Sequence, residues 1–325
     1  MINDITSKRI QVLRGLAIIA VVIIHSNANG IISVIDRPFV NFAVAIFIFI
    51  SGYLTKLSYS DIRNFYKKRI VKVGMPYIVW TIIYTIANNK MEVIFLYLIS
   101  GGGATPFYFV IVYIQLVLIT PIINKLILSN YRWIGWLITP IYILIIRYIC
   151  PTLGIKLGFP FPNTIFLGWF IYYYLGIALG NNKINYDIST KVTVFFYLIT
   201  IILSIGEGLC WYRINNFDMA TTQLKITSIL TSVVTCLMAF KYLTEVKKNN
   251  QQNYLINQIE YYLSKIGDIS FGIFFVHMIF IMIIPRVVPE ITIFPLYSII
   301  VLISSIILVV IIKKLFGRYS FLFGI

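Results

Sequence analysis

The sequence predicts an all-α protein that crosses a membrane about ten times as one polytopic transmembrane helical bundle. Its 325 residues are 59% apolar and only 12% charged, and the mean hydropathy is +0.89. A soluble domain typically carries about twice that share of charged residues. Apolar runs long enough to span a bilayer also recur from one end of the chain to the other. These features argue against a soluble protein held by a single anchor.

The individual spans follow from the length of each apolar run, because about 20 apolar residues in a helix cross the hydrocarbon core. We expect spans near residues 10–27, 39–57, 73–88, 107–123, 134–149, 164–180, 192–209, 226–243, 270–285 and 296–312. No internal repeat of these segments is evident. Residues 1–325 are therefore expected to form a single transmembrane domain, and the last expected span ends too close to Ile325 for a soluble C-terminal domain to follow it within this sequence.

The distribution of positive charge predicts the orientation in the membrane. If the N-terminus is cytoplasmic, 20 of the 27 Lys and Arg residues fall in cytoplasmic segments. The seven on the other side are Arg37, Lys90, Arg147, Lys156, Arg213, Lys225 and Arg286. This asymmetry predicts cytoplasmic N- and C-termini in a multi-pass protein of the cytoplasmic membrane. Topology and attraction to anionic lipid head groups account for the net charge of +16, so no nucleic-acid partner is expected.

Two cytoplasmic segments carry apolar residues at helical spacing with basic residues between them. They are SYSDIRNFYKKRIVKVGMPY (58–77), with Ser60 as a predicted N-cap, and NYLINQIEYYLSKIGD (253–268). Both patterns predict helices that lie in the inner membrane interface, apolar side down.

The first span contains two polar residues that a lipid-facing helix does not need. Arg14 and His25 are eleven residues apart, about three helical turns, so they point in nearly the same direction. Arg14 is either a snorkelling topology residue or a binding group for an anion. His25 forms either an interhelical hydrogen bond or part of a reaction site, since ionisable groups inside membrane helices often mark function. A helix face with the cation Arg14 at one end and the base His25 at the other suits a long anionic ligand that enters from the cytoplasm.

Four stretches of the sequence resemble the acyltransferase-3 family of membrane proteins. They are SKRIQVLRGLAIIAVVIIH (7–25), FAVAIFIFISGYLTK (42–56), FYKKRIVKVGMPYIVW (65–80) and ISFGIFFVHM (269–278). In the first of them, the arginine, ten intervening residues and a histidine match the family's opening helix. The resemblance extends over most of the chain in order, including the expected number of spans.

The resemblance implies an acyltransferase that moves an acyl group, usually acetyl from acetyl-CoA, to a hydroxyl of a cell-surface polysaccharide or lipid-linked glycan. It implies that His25 is the general base and that Arg14, Arg69 and Lys72 hold the phosphates of the acyl-CoA. Many relatives have a second arginine where this chain has Val71 and Lys72. A lysine holds a phosphate as a point charge and lacks the bidentate fork of arginine.

Five further residues are candidates for supporting roles. Tyr53 and Tyr108 could donate to the tetrahedral oxyanion, or could be ordinary interfacial tyrosines. His277 lies seven residues after Ser270 on the same helix face, and together they could position the donor, act as an acid or base, or form packing hydrogen bonds. Glu207 could orient His25 or the acceptor, or could face water.

Two other classes of function fit the same sequence. A polytopic protein with buried charge could be a polysaccharide or glycolipid transporter or flippase without acyl chemistry, although the paired halves typical of secondary transporters are not evident. A ligand-sensing membrane module is the other class. Replacing His25 by alanine separates an enzyme, which loses transfer, from a transporter. No group of His, Cys, Asp and Glu has the spacing of a metal site, so no metal is expected.

Overall fold

The computed structural model describes residues 4–27, 30–59, 61–155, 157–158, 160–244 and 254–325. Within these residues the regular structure is helical and no strand is present. The α-helices are α1 (Asp4–Ser26), α2 (Gly30–Val40), α3 (Phe42–Tyr53), α4 (Ile62–Ala87), α5 (Ile94–Ser100), α6 (Tyr108–Leu118), α7 (Thr120–Leu128), α8 (Ile134–Ile143), α9 (Cys150–Thr152), α10 (Phe170–Gly180), α11 (Thr190–Arg213), α12 (Phe217–Thr221), α13 (Ile226–Thr244), α14 (Tyr254–Asp268), α15 (Ser270–Val287) and α16 (Leu296–Phe316). The all-α prediction is confirmed.

Eight helical segments of the described chain are long and apolar enough to cross a membrane. They are Asp4–Ser26, Gly30–Tyr53, Ile62–Ala87, Ile134–Thr152, Thr190–Arg213, Phe217–Thr244, Ser270–Val287 and Leu296–Phe323. The chain is therefore a multi-pass membrane protein. This number is lower than the ten expected, because two of the predicted spans are built differently.

The two spans that differ are those expected at 107–123 and 164–180. The first belongs to a pair of helical segments, Met91–Ser100 and Thr105–Leu118, that meet at a bend of 40° and count as a ninth span if taken together. The second forms α10, which has only 11 residues. Its apolar run begins in irregular backbone and a 3₁₀ turn at Phe166–Gly168, so apolarity over this run does not correspond to one continuous helix.

Contacts divide the chain into two compact units. The first unit comprises Met1–Phe47, Tyr186–Gln223 and Thr227–Ile311, and the second comprises Ile48–Asn185, Leu224–Ile226 and Ile312–Ile325.

Helix α1 is in extensive contact with α14 in the first unit and also packs on α15. At Gly15 a Cβ atom would overlap the carbonyl oxygen of Leu263, and at Gly267 it would overlap the carbonyl oxygen of Gln11. Two glycines thus let the backbones of α1 and α14 approach closely, as small residues do between membrane helices. This contact holds α1 in one position.

The second unit is built around α10. Ten of its 11 residues are buried, including three consecutive tyrosines at 172–174. The hydroxyl of Tyr173 shares hydrogen bonds with the hydroxyls of Thr55 (3.3 Å) and Thr120 (2.9 Å). Polar side chains therefore tie the buried helix to its neighbours, since buried hydroxyls need partners.

The two predicted interface segments are both helical, but only the second is a separate helix. The first is the beginning of α4, which runs on without a break into the span expected at 73–88. Its N-cap is Asp61, which accepts a hydrogen bond from the Asn64 amide, while Ser60 lies outside the described residues. The second, α14, packs on α1 through its small residues and leaves Leu255 and Tyr262 largely exposed.

Candidate active site

Helix α1 carries both polar residues of the opening motif. Arg14 and His25 are partly exposed, and Arg14 donates a long hydrogen bond of 3.4 Å to Gln11. Between them, Ile18 is 0% exposed and Val22 is 1% exposed. The face that joins Arg14 to His25 therefore lies inside the protein rather than against lipid. Snorkelling alone does not explain the placement of both residues on that face.

His25 lies next to His277, which belongs to α15. The centroids of the two imidazole rings are 5.5 Å apart and the rings are tilted by 46°. His277 is fully buried, whereas His25 is partly exposed. Only His25 can therefore meet a ligand directly in this arrangement, with His277 behind it.

One ring nitrogen of His277 is engaged and the other is not. Nδ1 lies 3.1 Å from the carbonyl oxygen of Ile273, one turn earlier in α15. Nε2 is buried and has no hydrogen-bond partner among the described residues. A buried polar atom without a partner is uncommon and calls for an explanation.

A polar cluster surrounds the C-terminal end of α1, directly beyond His25. Arg37 of α2 donates to the carbonyl oxygens of Ile24 (2.7 Å) and Asn27 (3.4 Å). The Asn27 amide donates to a carboxylate oxygen of Asp36, and the Ser33 hydroxyl lies 3.3 Å from both oxygens of Asn27. The other carboxylate oxygen of Asp36 is buried without a hydrogen-bond partner in the described chain.

Sequence reasoning missed this cluster. The charged pair Asp36-Arg37 interrupts an otherwise apolar region, and Asn27 lies two residues after His25. A charged pair beside an apolar span is the signal in the sequence for such a cluster.

Two supporting candidates of the first unit lie in different surroundings. The carboxylate of Glu207 accepts hydrogen bonds from the amide and hydroxyl of Thr227 and from the indole of Trp211. These contacts connect α11 to the start of α13. Ser270 is fully buried at the start of α15, and its hydroxyl has no hydrogen-bond partner among the described residues.

The predicted phosphate-binding residues Arg69 and Lys72 belong to the second unit. The Arg69 guanidinium donates to the carbonyl and hydroxyl oxygens of Ser51 (3.1 and 3.0 Å) and to the carbonyl oxygen of Leu54 (3.0 Å). It also lies over the Phe65 ring, 5.0 Å from the centroid. Arg69 therefore binds the carbonyls left open where α3 ends. Lys72 is exposed one turn further along α4.

Tyr53 and Tyr108 also belong to the second unit. Tyr53 is partly exposed at the end of α3, with its ring 6.3 Å from that of Phe49. Tyr108 stacks on Trp169 at 5.7 Å. Their role as oxyanion donors stays a prediction.

In the part of the chain that the structure describes, no group of three or more His, Cys, Asp or Glu residues could hold a metal ion.

Comparison with known proteins identifies one family. The family model described as an acyltransferase domain, that of the acyltransferase-3 family, matches residues 7–314. The match covers nearly the whole chain, including α1 and α15. Neither a curated protein nor a solved structure matches the sequence.

Proposed function

The chain belongs to the acyltransferase-3 family and is a multi-pass membrane acyltransferase, and from this we propose that it is an O-acyltransferase of the cytoplasmic membrane. Its donor is a cytoplasmic acyl-CoA, with acetyl-CoA the simplest choice. Its acceptor is a hydroxyl of a cell-surface polysaccharide or lipid-linked glycan.

The position of His25, partly exposed at the end of α1, carries this proposal. A sugar hydroxyl is a weak nucleophile, and a neutral imidazole can take its proton as it attacks a thioester. His25 is partly exposed beside a second imidazole, at the end of a helix whose other end carries Arg14. A general base must reach the proton that it removes, and the partly exposed ring of His25 meets this requirement better than the fully buried ring of His277.

The proposed reaction needs no group other than the two substrates and His25. The acceptor oxygen attacks the thioester carbonyl carbon while a ring nitrogen of His25 takes the hydroxyl proton. The tetrahedral intermediate collapses with cleavage of the carbon–sulfur bond, and the thiolate takes the proton back from the His25 imidazolium. The products are an O-acyl ester and free CoA thiol, and His25 is neutral again.

Cations near the predicted cytoplasmic side supply the donor-binding part of the proposal. Arg14 lies about 16 Å along the helix axis from His25, by the rise per residue of an α-helix. That separation suits a donor with phosphates at one end and a thioester at the other. For the second unit, we propose that Arg69 and Lys72 also bind phosphate, because both are cations of α4 separated by about one helical turn and Lys72 is exposed.

The polar cluster at the C-terminal end of α1 supports a hydroxyl-rich acceptor. Asn27, Ser33 and Asp36 bring an amide, a hydroxyl and a carboxylate together beyond the end of α1, and Asp36 is the partly exposed member of the three. These are the groups with which proteins bind sugar hydroxyls, because each hydroxyl both donates and accepts.

Transfer by the purified protein tests the proposal. The wild type in proteoliposomes, given labelled acetyl-CoA inside and host glycan outside, should yield O-acetylated glycan. His25→Ala should lose about 10²- to 10⁴-fold in turnover, as expected for loss of a general base. Leu16→Ala, at an exposed position of the same helix, serves as the matched control and should retain activity.

Two results would contradict the proposal. If the wild type moves glycan across the bilayer without acylating it, the protein is a flippase. If His25→Ala transfers acetyl at the wild-type rate, the base lies elsewhere. Compositional analysis of the host's surface glycan with and without the gene identifies the acceptor and the acyl group.

A further inference from the structure

The chain contains only two histidines, His25 and His277, and the fold brings them into contact. They are 252 residues apart in sequence and lie on different helices of the first unit. The reaction described above uses His25 alone and leaves the role of the buried imidazole open.

The hydrogen bond at Nδ1 determines the tautomer of neutral His277. The partner at 3.1 Å is the carbonyl oxygen of Ile273, which can only accept. Nδ1 therefore carries the proton and donates. In a neutral imidazole the other nitrogen then has no proton, so Nε2 presents a lone pair.

That lone pair is buried and lacks a partner in the described structure. Leaving such an acceptor unpaired is costly, so a donor is expected to reach it. The ring of His25 lies 5.5 Å away between centroids, a separation at which facing nitrogens come close to hydrogen-bond distance. Hydrogen bonds at catalytic sites are often long in structures without substrate and shorten when substrate binds.

We propose that His277 is a positioning residue for His25: its buried Nε2 accepts a hydrogen bond from one ring N–H of His25, which leaves the other nitrogen of His25 as the base. This inference rests on the proposed function, because it assigns a role within the same reaction. His277 does not touch either substrate, since it is fully buried behind His25.

The hydrogen bond has two consequences for catalysis. Before the reaction it selects the His25 tautomer whose lone pair faces the acceptor hydroxyl, and it holds the ring in place. When His25 has taken the hydroxyl proton, the imidazolium keeps its hydrogen bond to the neutral His277, so the new charge has an adjacent acceptor. The proton then passes from His25 to the departing thiolate. His277 neither gains nor loses a proton over the cycle.

Two replacements of His277 distinguish its proposed role as a hydrogen-bond acceptor from a role in proton transfer. His277→Leu removes the acceptor and should lower kcat by about 10- to 100-fold with little change in the KM for acyl-CoA, as when a group that orients a catalytic histidine is lost. His277→Gln retains an acceptor oxygen on a side chain that cannot carry a proton, and it should retain most of the activity.

A double variant tests whether His277 acts through His25. If it does, His25→Ala combined with His277→Leu should be no slower than His25→Ala alone, because the base that His277 positions is already gone. A further loss of turnover in the double variant would show an independent role for His277 and overturn the proposal. If His277→Leu is as active as the wild type, the His277 imidazole only fills space and the proposal is wrong. If His277→Gln is as inactive as His277→Leu, His277 transfers a proton and the proposal is also wrong.

Nitrogen NMR gives a readout that does not depend on turnover. Protein purified without a polyhistidine tag and labelled with ¹⁵N-histidine has four ring nitrogens, which the single variants assign. His277 should show a protonated Nδ1 and a bare Nε2, with a correlation across the hydrogen bond to a protonated nitrogen of His25. A protonated Nε2 would overturn the proposal even in an active enzyme. The correlation together with absent acyl transfer would instead contradict only the proposed function.

Discussion

Arg37 donates a 2.7 Å hydrogen bond from Nη2 to the carbonyl oxygen of Ile24, the residue before His25. The last carbonyls of a helix have no partner within the helix, and a cation near that end also interacts favourably with the helix dipole. α2 thus supplies the cap of α1 at the point where the candidate base is located.

Removal of this cap should lower both stability and turnover. Arg37→Ala is expected to cost about 1.5–3 kcal/mol, the usual contribution of hydrogen bonds from a charged group, and to lower kcat because the last turn of α1 loosens. Arg37→Lys should recover part of both, since an ammonium keeps the charge without the planar fork. Thermal unfolding and transfer assays measure the two effects. Arg286→Ala, which removes an exposed cation of the same unit, is the control and should change neither.

Arg14 and His25 variants should fail in different kinetic parameters. Arg14→Ala is expected to raise the KM for acyl-CoA, because it removes a cation proposed to hold the donor phosphates. Acyl-CoA titrations at fixed acceptor concentration measure this. Lys8→Ala removes an exposed charge from the same helix and is the matched control. An unchanged KM in Arg14→Ala would remove Arg14 from the donor site.

Arg69→Ala should weaken acyl-CoA binding more than acceptor binding. Arg69→Lys should restore only part of the affinity, because an ammonium keeps the charge but lacks the planar fork of the guanidinium. Binding of CoA to the purified variants measures the affinity, and their thermal unfolding measures the cost of the lost contacts. A destabilised variant with wild-type CoA affinity would mean that Arg69 only supports the end of α3.

The close contact of α1 with α14 should not tolerate a side chain at Gly267. Its Cβ would overlap the carbonyl oxygen of Gln11, so Gly267→Ala is expected to destabilise the protein by about 1–3 kcal/mol, as overpacking does. Gly206→Ala in α11 is the control, since no atom lies within 4 Å of its added Cβ. That replacement should be neutral or stabilise by up to about 1 kcal/mol. Thermal midpoints of the two variants in the same detergent decide between these outcomes.

The charge distribution predicts cytoplasmic termini. A topology reporter fused after Ile325 should be cytoplasmic, and one inserted at 101–106 should face the other side. The result also bears on the number of spans: an external C-terminus would require an odd number of crossings, as when the bent pair Met91–Ser100 and Thr105–Leu118 completes a ninth.

The sequence alone determined the class of protein, the positions of most helices and the shared face of Arg14 and His25. These properties are local. Apolar run length is set by the thickness of the bilayer, and the direction of a side chain around one helix is set by the backbone repeat. The family followed from short motifs read in the same way, and the match over residues 7–314 confirms it.

Tertiary structure decided which of these residues meet. The contact of His25 with His277, the capping of Ile24 by Arg37 and the anchoring of Arg69 to Ser51 each join separate helices. The tertiary structure also determined that the apolar run at 164–180 forms only a short buried helix at its end. Such contacts depend on how helices pack, because glycines and side-chain shapes set the approach of one helix to another, and periodicity along one helix carries no information about its partner.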